Sequence, residues 1–172
     1  MRDELIQFIQ SPDRDSYLAF RRKIIESNSY EPYSDEIDTA GELYEQEKIE
    51  EARETLQSAM PNLMLSPRAH QLLGFLHHKL GNEQAAQMEM MIGHACTEGI
   101  LASGDGSKDR PFIVSRTSDE HDVIDHLGKQ LKQQSLSHSG DSHLDLIECT
   151  DGSEYWFDIT DAYNQLSKSF GE

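Results

Sequence analysis

Between Asp38 and Ala95 the chain alternates charged and apolar positions at helical spacing, and it does so twice. The first stretch is "DTAGELYEQEKIEEARETLQSAMP", Asp38 to Pro61. Here Leu43, Ile49 and Leu56 are the apolar positions, set against Glu47, Glu50, Glu51 and Glu54 with Lys48 and Arg53 interspersed. That pattern predicts two amphipathic helices with a solvated acidic face. The second stretch, "LLGFLHHKLGNEQAAQMEMMIGHA", Leu72 to Ala95, is more apolar and breaks at Gly81-Asn82. Ser66-Pro67 supplies an N-cap and first-turn proline before it. Upstream, "MRDELIQFIQ" and "SPDRDSYLAFRRKIIES" read as two more helices. Ser11-Pro12 is the expected cap of the second, and "NSYEPYSD" is the break after it. Tyr17, Phe20, Ile24 and Ile25 recur at helical spacing and are expected to pack on the first hairpin, capping it.

After Leu101 the pattern changes. "ASGDGSKDRP" is polar and glycine-containing, and it marks a boundary. "PFIVS" reads as a strand, and "TSDEHDVIDHLG" as a short helix with Thr117 as N-cap, Glu120 at the capping-box position and Gly128 as terminator. "HLDLIECT" and "SEYWFDIT" read as strands joined by Asp151-Gly152, a strong hairpin signal. "KQLKQQSLSHS" is an additional edge strand, and "DAYNQLSKSF" a last helix capped by Thr160 or Asp161. The expected fold is α+β: antiparallel helical hairpins over residues 1–101, then a small antiparallel sheet with one or two helices over residues 102–172.

The two hairpins align with each other. Ala40 matches Gly74, Ala52 matches Ala86, Leu56 matches Met90 and Ala59 matches Gly93, each at a spacing of 34 residues. With Tyr44 near the end of the first helix, these small and bulky positions resemble those of the tetratricopeptide repeat, a pair of antiparallel helices. The likeness covers about a third of the chain. It departs from the pattern where Glu47 stands in the turn opposite Gly81 and where Pro61 comes early. The order of elements also resembles an uncharacterised bacterial family that pairs such a helical start with a "GDG" turn, a strand, a short acidic helix and a late aromatic strand. The matching pieces are "SGDGSKDRPFIV", "SDEHDVIDHLG" and "YWFDI". That resemblance implies no catalytic residues.

Charge then narrows the functions. The formal net charge is -17, from 32 acidic against 15 basic residues. Such a surface repels phosphate backbones and anionic membranes, so neither nucleic acid nor membrane is the expected partner. The N-terminus lacks the basic and apolar regions of a signal peptide, and Cys96 and Cys149 stand apart without a CxxC partner. Reduced thiols in a cytoplasmic protein are the expectation. In "SGDGSK", Gly104 and Gly106 are expected at positive φ around Asp105, a turn that fails the calcium-loop pattern. The histidines fit no zinc spacing and no serine lies in a GxSxG elbow, so no metal, cofactor or catalytic residue is assigned.

What the repeat register does offer is a recognition strip. The resemblance implies that the first helix of each hairpin lines a concave groove, which places Arg68, Gln71, Phe75, His78 and Lys79 on one strip with Tyr44 beside it. Arg68 and Lys79 around Phe75 would clamp an acidic or carboxylate-ended peptide. The adjacent His77 is expected to pack between helices. The expected function is therefore non-enzymatic protein–protein interaction. Two alternatives stand beside it: an enzyme or metal-binding protein using Asp119–Gly128, and an acidic immunity-type or structural protein masking a basic partner. A filled groove, closed by the N-terminal helices or by the α+β part, is the competing expectation for the strip itself.

Overall fold

The computed structural model describes residues 2–169, so Met1 and Phe170, expected in the first and last helices, lie outside the described residues. Helices α1 (Arg2–Gln10), α2 (Arg14–Ile25), α3 (Glu36–Glu45), α4 (Ile49–Ser58), α5 (Pro67–Lys79) and α6 (Glu83–Ser103) come first. Then follow β1 (Phe112–Ile113), α7 (Ser118–His126), β2 (Leu131–Ser139), β3 (Ser142–Cys149), β4 (Glu154–Asp158) and α8 (Thr160–Ser169). The expected α+β architecture is what the chain adopts, with helical hairpins followed by a small sheet. Among the described residues no helix is long and apolar enough to cross a membrane.

The internal repeat is visible in backbone detail. Glu47 (φ 62°) and Gly81 (φ 78°) both take the left-handed conformation. The next residues match as well: Lys48 has φ −89° and ψ 62°, and Asn82 has φ −93° and ψ 64°. Lys48 N donates to Leu43 O (2.9 Å) as Asn82 N donates to His77 O (2.8 Å). The turn thus needs one residue at positive φ. Glycine meets that need without strain, and Glu47 meets it at a steric cost. Ser66 caps α5 as expected, its side chain accepting from Ala69 N, whereas α2 is capped by Asp13 rather than Ser11.

The described residues build two apolar clusters. One fills the first hairpin and its contact with α5: Ala40, Ala52, Leu56, Leu63, Ala69, Leu73 and Leu76. The other joins α1, α2 and α6 to the sheet through Phe8, Tyr17, Phe20, Ile24, Cys96, Ile100, Phe112, Ile147 and Phe157. Tyr17 and Phe20 therefore pack on α6 and the sheet, not on the first hairpin as expected. Small residues on α6 allow this close approach. A Cβ on Gly99 would lie 2.6 Å from Tyr17 Cδ2 and 2.7 Å from Phe8 Cε2. Helix α6 is thus a spine that spans the sequence boundary at Leu101, pairing with α5 at its start and with α1, α2 and β1 further along.

The sheet is mixed, with order β1-β4-β3-β2. β2, β3 and β4 run antiparallel, but β1 pairs parallel with β4 through Phe112–Phe157 and Ile113–Asp158, which differs from the all-antiparallel expectation. The reason is connectivity: α7 carries the chain from β1 to the far edge, and two reversals bring β4 back alongside β1. Gly106 has the positive φ expected of the "GDG" turn. Gly104 is extended (φ −156°) and is required for space, because a Cβ there would meet Pro111 O at 2.2 Å. On β4, Phe157 is buried on the core side while Trp156, on the opposite face, is half-buried with Lys108 Nζ 4.8 Å from its ring centre.

Candidate functional site

The candidate recognition strip divides in two. Tyr44, Gln71, Phe75, His78 and Lys79 do come together. The Tyr44 and Phe75 rings meet edge-on with centroids 5.1 Å apart, and Lys79 Nζ sits 5.1 Å from the Phe75 ring centre. Arg68 does not join them. Its guanidinium donates to Asp122 Oδ1 (2.8 Å) and to Ser118 O (3.3 Å) on α7, and the hydrogen bond it gives to the Asp122 carboxylate raises its pKa further. At that end the strip is an internal seam, closed by the α+β part. The cause is burial: Asp122 is largely shielded, and an ionised carboxylate there needs a cation.

The open end is a cleft of about 550 Å³ between α5 and α6. Gln71, Gly74, Phe75 and His78 line it from α5, and Glu83, Ala86, Gln87 and Met90 from α6. Its floor is formed where Met90 lies across Gly74, since a Cβ on Gly74 would meet Met90 Cγ and Sδ at 3.0 Å. Phe75 remains 38% exposed and Met90 52%, with Met88 and Met91 half exposed further round α6. At the rim His78 Nδ1 lies 2.7 Å from Glu83 Oε1. His77 points the other way, buried between helices as expected, with Gln57 Nε2 3.5 Å from its Nε2. No acidic residue occurs between Glu54 and Glu83, so the α5 wall is free of negative charge.

The repeat explains what this cleft is. Subtracting 34 from Gln71, Gly74, His78, Glu83, Ala86 and Met90 gives Ile37, Ala40, Tyr44, Ile49, Ala52 and Leu56. All six belong to the cluster that α5 covers with Ala69, Leu73 and Leu76. In the first hairpin the groove therefore receives a helix. In the second hairpin the same groove is open, because the chain after α6 turns into the sheet. The α6 wall, Ala86, Gln87 and Met90, was absent from the sequence-derived strip. The signal the sequence held for it was the alignment of Met90 with Leu56 and of Ala86 with Ala52, which makes them groove positions of the same register.

The Asp119–Gly128 segment, the alternative site, is a polar seam. Thr117 makes no side-chain cap; instead Asp119 Oδ2 accepts from Ser115 N (3.3 Å) and Arg116 N (3.0 Å). Glu120 is no capping-box residue either. It is fully buried, accepting from Gln134 Nε2 at 3.1 Å, and the same nitrogen donates to Asp145 Oδ2 at 2.7 Å. Burial raises the Glu120 pKa to about 9, with the Asp145 and Asp119 charges adding to it. Burial and the Asp122 charge raise Asp119 to about 7. The Arg116 charge partly offsets the rise at Asp119, while its guanidinium donates to Glu31 O (3.0 Å) and Ser34 O (2.8 Å), tying down the loop before α3. His121 and Asp125 line a hollow of about 500 Å³ above this seam with Arg68, Thr117, Ser118 and Gln134. Among the described residues no three His, Cys, Asp or Glu side chains are placed to hold a metal ion. Cys96 and Cys149 are free and buried.

No protein-family model, curated protein or solved structure matches this chain.

Proposed function

We propose that this protein is a non-enzymatic interaction protein, an adaptor or regulator, whose α5/α6 cleft receives an amphipathic helix from a protein partner. The observation that carries the reading is the repeat equivalence of this cleft with the groove that α5 fills in the first hairpin. A groove of this register takes a helix through an apolar stripe at i, i+4 and i+7, as Ala69, Leu73 and Leu76 do. Exposed methionines suit such a role, because their flexible side chains adapt to different helices. The polar rim differs from the first hairpin in a consistent direction. His78, Glu83 and Gln71 replace Tyr44, Ile49 and Ile37, so the second groove tolerates water when empty. Lys79 beside Phe75 favours a partner with a carboxylate at that end, the acidic or carboxylate-ended chemistry expected from sequence. Two free buried thiols fit a reducing, cytoplasmic setting.

The test is selection of helical peptides from a displayed library on the full chain. The isolated peptides are expected to carry apolar residues at i, i+4 and i+7. They should shift backbone amide resonances of residues 71–90 and lose at least about tenfold in affinity to Met90→Glu. Peptides whose binding ignores Met90→Glu and Phe75→Asp, or whose shifts map elsewhere, overturn the proposal.

A further inference from the structure

Strand β2 forms one edge of the sheet, with β3 on its inner side. Residues 131–136 are all exposed. The two-residue turn Gly140-Asp141 has Gly140 at φ 61°, as a hairpin with glycine first requires. Such a turn makes Ser139 and Ser142 a hydrogen-bonded pair. Alternation then directs Ser137 and Ser135 to β3 and leaves the N–H and C=O groups of His138, Leu136 and Gln134 facing outward. The far side of β3 agrees, because Ile159 N donates to His143 O at 3.0 Å, so His143 bonds toward β4.

Exposed strand edges are usually protected by lysine, proline or a bulge. Here the bulge falls between Leu131 and Gln133, at Lys132, and the run from Gln133 to Ser139 has none of these devices. In a chain with 32 acidic residues, no acidic residue occurs from His126 to Gly140. Leu136, 46% exposed, stands in the middle of the run.

We propose that β2 pairs antiparallel with β2 of a second copy across a two-fold axis, joining two sheets into one. The register that satisfies the outward groups sets Leu136 opposite its own counterpart and Gln134 opposite His138. Each Leu136 then covers the other. Lys132 comes opposite Gly140, next to Asp141, so the cation at one end of the edge meets the acid at its other end. The Gln134 side chain keeps its bonds to Glu120 and Asp145, because the pairing uses main-chain groups only. The pairing involves no residue of the α5/α6 cleft.

Pairing along one strand gives a small interface and a weak dimer, so sedimentation is followed up to about 0.5 mM. A monomer–dimer equilibrium is expected. Leu136→Pro removes an outward N–H and leaves the β3 ladder intact, so it should weaken the dimer at least about tenfold with an unchanged urea midpoint. Leu136→Lys, which places like charges opposite each other, should do the same and serves if the proline variant fails to fold. Leu136→Cys should give a disulfide-linked dimer on mild oxidation, because opposed residues in such a pair have Cα atoms about 5.5 Å apart. The native thiols are buried and do not compete. Lys132→Cys, far from its own counterpart in this register, should stay monomeric under the same oxidation. A wild-type monomer throughout the range with no Leu136→Cys dimer overturns the proposal. So does a dimer that Leu136→Pro and Leu136→Lys leave untouched.

Discussion

Replacing Glu120 with glutamine should stabilise the protein, and by an amount that grows with pH. The Glu120 carboxyl ionises near 4.5 in the unfolded chain and near 9 in the folded one, chiefly because burial disfavours the charge. Below pH 4.5 both states hold the proton and the group contributes nothing. Above it the unfolded chain releases the proton while the folded chain retains it, so stability falls as pH rises. Each pH unit in this window costs about 1.4 kcal/mol, which amounts to roughly 4 kcal/mol by pH 7.5. Relaxation around the carboxyl reduces the recoverable part to about 2–4 kcal/mol. Glutamine is isosteric and cannot ionise. Its oxygen can accept from Gln134 as Glu120 does, and its amide can donate to Asp145, with which the protonated Glu120 already shares a hydrogen bond. Urea unfolding followed by the fluorescence of Trp156 between pH 5 and 8 measures the effect. The Asp119 slope, which runs from its ordinary range up to about pH 7, is present in both proteins and cancels in the difference. The variant should match wild type near pH 5 and exceed it by at least about 2 kcal/mol at pH 8. A difference that does not change with pH, or a variant less stable at pH 8, would refute the reasoning.

Other outcomes follow from the packing. Glu47→Gly relieves a left-handed residue where the second hairpin already has glycine, and should raise the urea midpoint by about 0.5–1 kcal/mol of stability. Gly99→Ala forces a Cβ into the buried rings of Tyr17 and Phe8 and should destabilise by about 1–2 kcal/mol in the same assay, despite better helix propensity. Arg68→Ala leaves Asp122 without its cation and should cost about 1–3 kcal/mol in stability, while the affinity of a cleft-binding helical peptide, read by fluorescence anisotropy, stays within about twofold of wild type.

The sequence by itself determined the local parts. Helical periodicity fixed the hairpins, the 34-residue alignment fixed their turns, and Asp151-Gly152 fixed the β3–β4 reversal. These features depend on residues close together in the chain, where side-chain spacing and backbone preference decide the outcome. The same locality made Gln71, Phe75, His78 and Lys79 on α5 a legible group, and the repeat register added Tyr44. Only the tertiary structure decided which faces are covered. It sent α1 and α2 to α6 and the sheet, paired β1 parallel with β4, and gave Arg68 to Asp122. It turned Glu120 from a helix cap into a buried, protonated group held by Gln134. It also left Met90 in the open while covering its counterpart Leu56. Each of these depends on residues far apart in sequence competing for the same apolar surface or the same counter-charge. A one-dimensional pattern names the faces that need a partner, but the choice among partners is made by the whole packed chain.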